Sequence, residues 1–190
     1  MLMENLQNFP EATAIVMATP TTVSNNIYQR ELLKNGVPKN KIIAQACPNL
    51  ANEISNDPEG SKVEKRIKYW VQKSLQQLLE NTTDHLILLL GCTHYSYYEN
   101  IFKMVFKNNG FSKITLLNPN YAAAEILKKY VLNDQSANTD LTNNISIDLL
   151  TPYEIPENEK ITLYKLLNPI SPETSQALKN SQIVPELLDD

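Results

Sequence analysis

The stretch that decides the fold is His85-Leu86-Ile87-Leu88-Leu89-Leu90-Gly91-Cys92, "HLILLLGC". It is apolar without alternation, which predicts a strand covered on both faces rather than one with a wet side. It stops at a glycine and then presents a thiol, a hydroxyl and an imidazole in three consecutive residues, Cys92, Thr93 and His94. A buried parallel strand needs neighbours of the same kind, and the flanking sequence supplies them. "TAIVMAT" (Thr13–Thr19) is a short apolar run closed by Pro20. "KIIAQAC" (Lys41–Cys47) is a second, closed by Pro48, and "SKITLLNP" (Ser112–Pro119) is a fourth.

Between these runs the period changes to that of helices. "TTVSNNIYQRELLKNG" reads as one helix with Gly36 as its stop, and "PNLANEIS" as a short one. In Lys62–Glu80, Val63, Ile67, Trp70, Val71, Leu75, Leu78 and Leu79 fall on one stripe at three-to-four spacing. "YSYYENIFKMVFKNNG" is closed by Gly110, and "NYAAAEILKKYVLN" follows the fourth strand. Four alternations of strand and helix predict an α/β fold with a largely parallel sheet. After about Asn133 the signal thins into the polar stretch "NDQSANTDLTNN", a short candidate strand "ISIDLL", a candidate helix "SPETSQALKN" and a tail, so residues from there to Asp190 are expected to be loosely held.

Composition narrows the classes of function. With 42% apolar and 20% charged residues, the 190-residue chain has a globular balance. A net charge of −4 gives no basic footprint for nucleic acid. The longest apolar run, "LILLLGC", is too short for a membrane span, and "MLMENLQNFPEA" has no secretory h-region. Two cysteines, Cys47 and Cys92, read as cytosolic thiols rather than a disulfide framework. Four glycines leave no Gly-rich phosphate loop.

In parallel α/β sheets, ligands gather beyond the carboxyl ends of the strands. Three ends here are polar: Thr19, Thr21, Thr22 and Ser24 after the first strand, Cys47 after the second, and Cys92, Thr93 and His94 after the third. Cys47 reads as a small buried hydrophobe, and one of Thr21, Thr22 or Ser24 as a helix cap. Cys92 and His94 together read as chemistry. A strand end that gives way to a helix N-terminus lowers a thiol pKa, and His94 is close enough to exchange a proton. Cys-x-His alone supplies two metal ligands where a structural zinc needs four.

"LGCTHY" resembles the second catalytic-cysteine motif of the cofactor-independent glutamate racemases, within the aspartate/glutamate racemase superfamily. "IVMATPTTVSNNIYQREL" resembles that family's strand and threonine loop, "IIAQACPNL" its A-C-P segment, and "ITLLNPNYAAAEIL" the strand after, all in the family's order. The resemblance implies a parallel-sheet, three-layer α/β lobe of this type with part of a second lobe. It also implies inversion of an amino-acid α-carbon by two thiols on opposite faces, without a cofactor. On it, Cys92 is one catalytic base and His94 assists it and contacts substrate; Thr93, Thr19 and Thr22 bind substrate; Cys47 is not one of the catalytic pair. The substrate implied is glutamate, the setting cytoplasmic, and the role supply of D-glutamate to peptidoglycan.

The departures from the pattern lie mainly at the start. The family's first Asp-Ser pair, its Pro-Tyr-Gly loop and its first catalytic cysteine with Asn-Thr are absent. Ser55 stands where some members have an acid, with Glu53 out of register; Ser96 stands where proline is usual; and Asn118-Pro119 stands where Asp-Ser is usual. The chain therefore reads as N-terminally truncated. Residues 13–112 would form a complete lobe, and 113–190 a return segment of the partly missing first lobe. Bared apolar sheet edges would favour a homo-oligomer. The alternative reading is a catalytically inactive α/β remnant that binds an acidic ligand or a partner chain. A hydrolase built on Cys92 and His94 would need an orienting acid for which the sequence offers no candidate.

Overall fold

In the computed structural model, which describes residues 1–78, 85–133 and 146–188, the four apolar runs are strands. They are β1 (Thr13–Ala18), β2 (Ile42–Ala46), β3 (His85–Gly91) and β4 (Lys113–Leu117). They pair in parallel in the order β2-β1-β3-β4. β1 is buried throughout and β3 throughout except at Gly91, because these two central strands are covered on both sides.

Alternate residues of each strand feed different cores. Ile15 and Met17 of β1 and Leu86, Leu88 and Leu90 of β3 face one side. There they meet α4 (Leu50–Asn56), α5 (Ser61–Leu75) and α6 (Glu99–Asn108) through Ile54, Ile67, Val71, Phe102 and Phe106. Ala14, Val16 and Ala18, with Ile87 and Leu89, face the other side. That thinner core is closed by Leu6 of α1 (Leu2–Asn8) and Leu32 of α3 (Ile27–Lys34). The result is three layers: helix, sheet, helix.

The helix expected after β1 is two. α2 (Pro20–Ser24) ends at Asn25, and Asn26 turns left-handed (φ 54°) before α3 begins. Asparagine tolerates that conformation better than other non-glycine residues, so the Asn25-Asn26 pair is a natural break. Its cap also differs from the expectation: Thr19, not Thr21, Thr22 or Ser24, accepts the bond from the Thr22 N–H. α5 keeps its stripe, with Val63, Ile67 and Val71 buried and Trp70, Leu75 and Leu78 packed against the same core. It stops at Leu75, and Leu79 lies outside the described residues. The segment after Cys92 opens as a 3-10 turn, Thr93–Tyr98, before α6. α7 (Pro119–Asn133) follows β4 with Tyr121, Ile126, Leu127 and Tyr130 exposed.

β4 begins at the 112–113 boundary and hydrogen-bonds into the same sheet as β3. The polar stretch expected as a loop at 133–144 lies almost wholly outside the described residues. Beyond it, the candidate strand is reduced to β5 (Leu150–Thr151), paired with β6 (Gln182–Ile183). Between them lie α8 (Glu157–Leu167) and α9 (Pro172–Lys179). Contrary to a loosely held tail, α8 is docked. Thr162 is 1% exposed, Leu166 packs on the main core, and Asn158 Nδ2 donates to Asn56 Oδ1 of α4. Lys165 pairs with Glu59 at 2.9 Å. Lys179 of α9 sits 3.8 Å over the Tyr164 ring of α8.

The chain leaves β1 for β2 on one side and crosses back to β3 on the other, so the order reverses between β1 and β3. At such a switch point the connections run to opposite faces and leave a crevice beyond the strand ends.

Candidate active site

The strand ends at the switch point are in register. Ala18 pairs with both Ala46 and Gly91, and the Cys47 N–H donates to the Ala18 carbonyl at 2.8 Å. Thr19, Cys47 and Cys92 therefore leave the sheet at one level. β1 and β3 approach closely there: a Cβ on Gly91 would lie 2.9 Å from the Ala18 Cβ. Glycine at 91 is required by that approach, not by a turn.

Cys92 is half-buried, and its sulfur lies 3.9 Å from His94 Nδ1. The same ring nitrogen is 3.5 Å from the Thr93 hydroxyl, and Thr93 is exposed. The backbone N–H groups of His94 and Tyr95 draw the thiol pKa down, but burial outweighs them and the pKa stands above the ordinary thiol value. This corrects the lowered pKa expected from a helix N-terminus: a short 3-10 turn and a half-buried sulfur do not supply that field. Cys47 is 1% exposed, and burial pushes its thiol up to about 12. Its Sγ–H points at the Gln45 carbonyl, 3.6 Å away.

Thr19 and Thr22 share a hydrogen bond between their hydroxyls at 3.0 Å, at the start of α2. Both are half-exposed, so their remaining valences face outward from the end of β1. Glu53, the acid noted out of register, is held by Arg66 through Nε and Nη2, and Ser55 is buried. Among the described residues no carboxylate bonds His94, so the thiol and imidazole stand without an orienting acid.

Two features escaped the sequence reading. Tyr95 is fully buried and its hydroxyl donates to the Cys47 carbonyl at 3.4 Å, tying the turn after β3 to the end of β2. Asn120, at the start of α7, donates from its side chain to the Thr93 carbonyl and to Ser96 Oγ, each at 3.2 Å. Neither had a local signal, because each acts across strands far apart in sequence.

A fold with this switch point is shared with known proteins. The glutamate racemase from Francisella tularensis subsp. tularensis SCHU S4, solved in complex with D-glutamate, superimposes with a TM-score of 0.60 at 22% identity, covering 90% of this chain and 57% of that one. The glutamate racemase isoform RacE1 from Bacillus anthracis gives 0.57 at 22% identity, covering 83% and 53%. The fold is thus of the aspartate/glutamate racemase type.

In sequence, the chain is 32% identical over 90 residues to the glutamate racemase of Streptococcus thermophilus, 47% of this chain and 31% of that protein. It is 30% identical over 118 residues to that of Lactobacillus acidophilus, 62% of this chain and 39% of that protein. No family model matches. Over these stretches the chain is similar to glutamate racemases, and the matches span 31% and 39% of the length of those two curated relatives.

Proposed function

We propose that this chain acts on glutamate as one half-site of a racemase. The Cys92 thiolate takes the α-proton from one face, and the charge left behind spreads into the α-carboxylate. A second acid returns a proton to the other face. His94 relays the proton of Cys92, and Thr93, Thr19 and Thr22 hold the substrate's carboxylates. The observation that carries this reading is the juxtaposition of Cys92 and His94 with the end of β1 at the switch point, in a chain similar over part of its length to glutamate racemases.

Inversion by two thiols needs a second one on the opposite face. The sequence has one other cysteine, and Cys47 is buried with its pKa raised to about 12. These 190 residues thus supply one of the two bases. On this reading residues 13–112, with β4 completing their sheet, are the lobe that carries Cys92, and the chain beyond β4 is the return segment of the other lobe. The proposed role is D-glutamate for peptidoglycan in the cytoplasm. Among the described residues no helix is long and apolar enough to cross a membrane.

The test is incubation with L-glutamate in D2O, followed by proton NMR and circular dichroism. Slow α-proton exchange with retained configuration, abolished by Cys92→Ala, is the expected result. Loss of optical signal that needs Cys92 would show a second base within the chain. The single accessible thiol favours one other reading, a lobe that binds an acidic ligand without turnover. Binding of D-glutamate with no exchange would establish that reading and end the racemase proposal.

A further inference from the structure

We propose that the cleft formed by α4 and α5 binds a phosphate monoester, held by Lys62, Lys65 and Arg66 with the Tyr69 ring against its organic part. The inference does not depend on the racemase reading.

The cleft has a volume of about 360 Å³ and is lined by Glu53, Lys62, Lys65, Arg66 and Tyr69. The last four stand on α5 at spacings of three, four and seven from Lys62, so they share one face of the helix. The buried stripe of Val63, Ile67 and Val71 occupies another.

The positive charge on this face is uncompensated. Four carboxylates lie between Asn49 and Trp70, and each has a partner that leaves the two lysines out. Glu53 holds Arg66. Asp57 accepts from the backbone N–H groups of Lys62 and Val63. Glu59 pairs with Lys165, and Glu64 with Lys68 at 2.6 Å. Among the described residues, no carboxylate pairs with the ammonium of Lys62 or Lys65. Lys62 lies three residues from Lys65 and four from Arg66, and like charges at those spacings repel along a helix. An anion between them removes that repulsion.

Arg66 is also braced. Its Nε donates to both Glu53 oxygens at 3.0 and 3.1 Å, and its Nη2 donates to one of them. The brace fixes the guanidinium plane from the Nε edge. Nη1 has no acceptor among the described residues, so the outer edge of the fork is left for a ligand. A merely solvated basic face needs no such brace.

Three cations against one carboxylate suit a dianion, and a phosphate monoester carries roughly two negative charges on three terminal oxygens. The arginine edge takes two oxygens, and the lysines act as point charges on the group. A single carboxylate would answer the arginine and leave both lysines unmatched. The exposed Tyr69 ring offers a flat surface to the attached organic group, with Lys73 Nζ 5.8 Å from its centroid.

Trp70 is the sole tryptophan, and its ring meets that of Tyr69 edge-on, 4.7 Å between centroids. Its fluorescence therefore reports on what sits against Tyr69. Titration of the full chain with phenyl phosphate at constant ionic strength should give a saturable change in emission. Inorganic phosphate and benzoate should each bind more weakly, the first lacking the ring and the second the dianion. The double variant Lys62→Gln/Lys65→Gln should weaken phenyl phosphate by roughly tenfold or more, the loss expected when charge-assisted bonds go. Both lysines are exposed, so the variant keeps its core. Lys68→Gln removes the same charge from the face paired with Glu64 and should change the affinity by less than about twofold. Absence of saturation, equal affinity for benzoate, or equal weakening by Lys68→Gln would each overturn the proposal.

Discussion

At the scale of single residues, the two thiols differ in environment more than in position. Both leave the sheet at the same level, but Cys47 is sealed beneath Tyr95 while Cys92 is half-buried. The thiolate is the reactive form, and burial raises both pKa values, that of Cys47 to about 12. Iodoacetamide should therefore modify Cys92 first, with a rate that climbs as pH rises toward its elevated pKa. Adducts mapped chiefly to Cys47 would contradict that order. Gly91 makes a second residue-scale test. In Gly91→Ala the new methyl meets the Ala18 Cβ at 2.9 Å, both anchored on strand backbone. Such overpacking costs ~1–3 kcal/mol, readable as a lower urea midpoint. The motif residues were legible in the sequence because a strand end concentrates chemistry. Ser96 stood out only as a departure, since its partner Asn120 is 24 positions away.

At the scale of elements, the four strands could be read because each is an apolar run closed by proline or glycine. The helices were legible where an apolar stripe was long, as in α5. Their ends were less so, because side chains decide them. α5 is capped from outside its first turn: Asp57 Oδ2 accepts from the N–H groups of Lys62 and Val63 at 2.7 and 3.1 Å. Asp57→Ala should cost about 1 kcal/mol in denaturant unfolding, the usual effect of losing such a cap. An unchanged midpoint would show that water replaces the carboxylate without cost. α1 was missed altogether. Seven residues with one buried side chain, Leu6, carry too little periodicity to announce a helix.

At the scale of the molecule, the docking of α8 on α4 was the least legible feature. Asn158 reaches Asn56 across 102 residues, and no local pattern encodes that meeting. Residues 157–179 are therefore expected to resist limited proteolysis as the Cys92 core does, through Thr162, Leu166 and the Lys179–Tyr164 contact. Rapid cleavage within α8 or α9 would mean that the docking is too weak to protect them.

The register of β1 with β3 also has a consequence in time. Thr13 meets Leu86 after about 70 intervening residues, whereas Ala14 meets Ile42 after fewer than half as many. Loop closure grows more costly with length, and nonlocal parallel pairing is slow to form. Thr19 and Cys92 sit at the far end of the long-range pair, so neither local hairpin nor single helix can bring them together. A chain emerging from synthesis would have its β1–β2 edge available for pairing well before it could own a switch point. Its site chemistry would be born with the closing of the sheet, rather than with any segment of it.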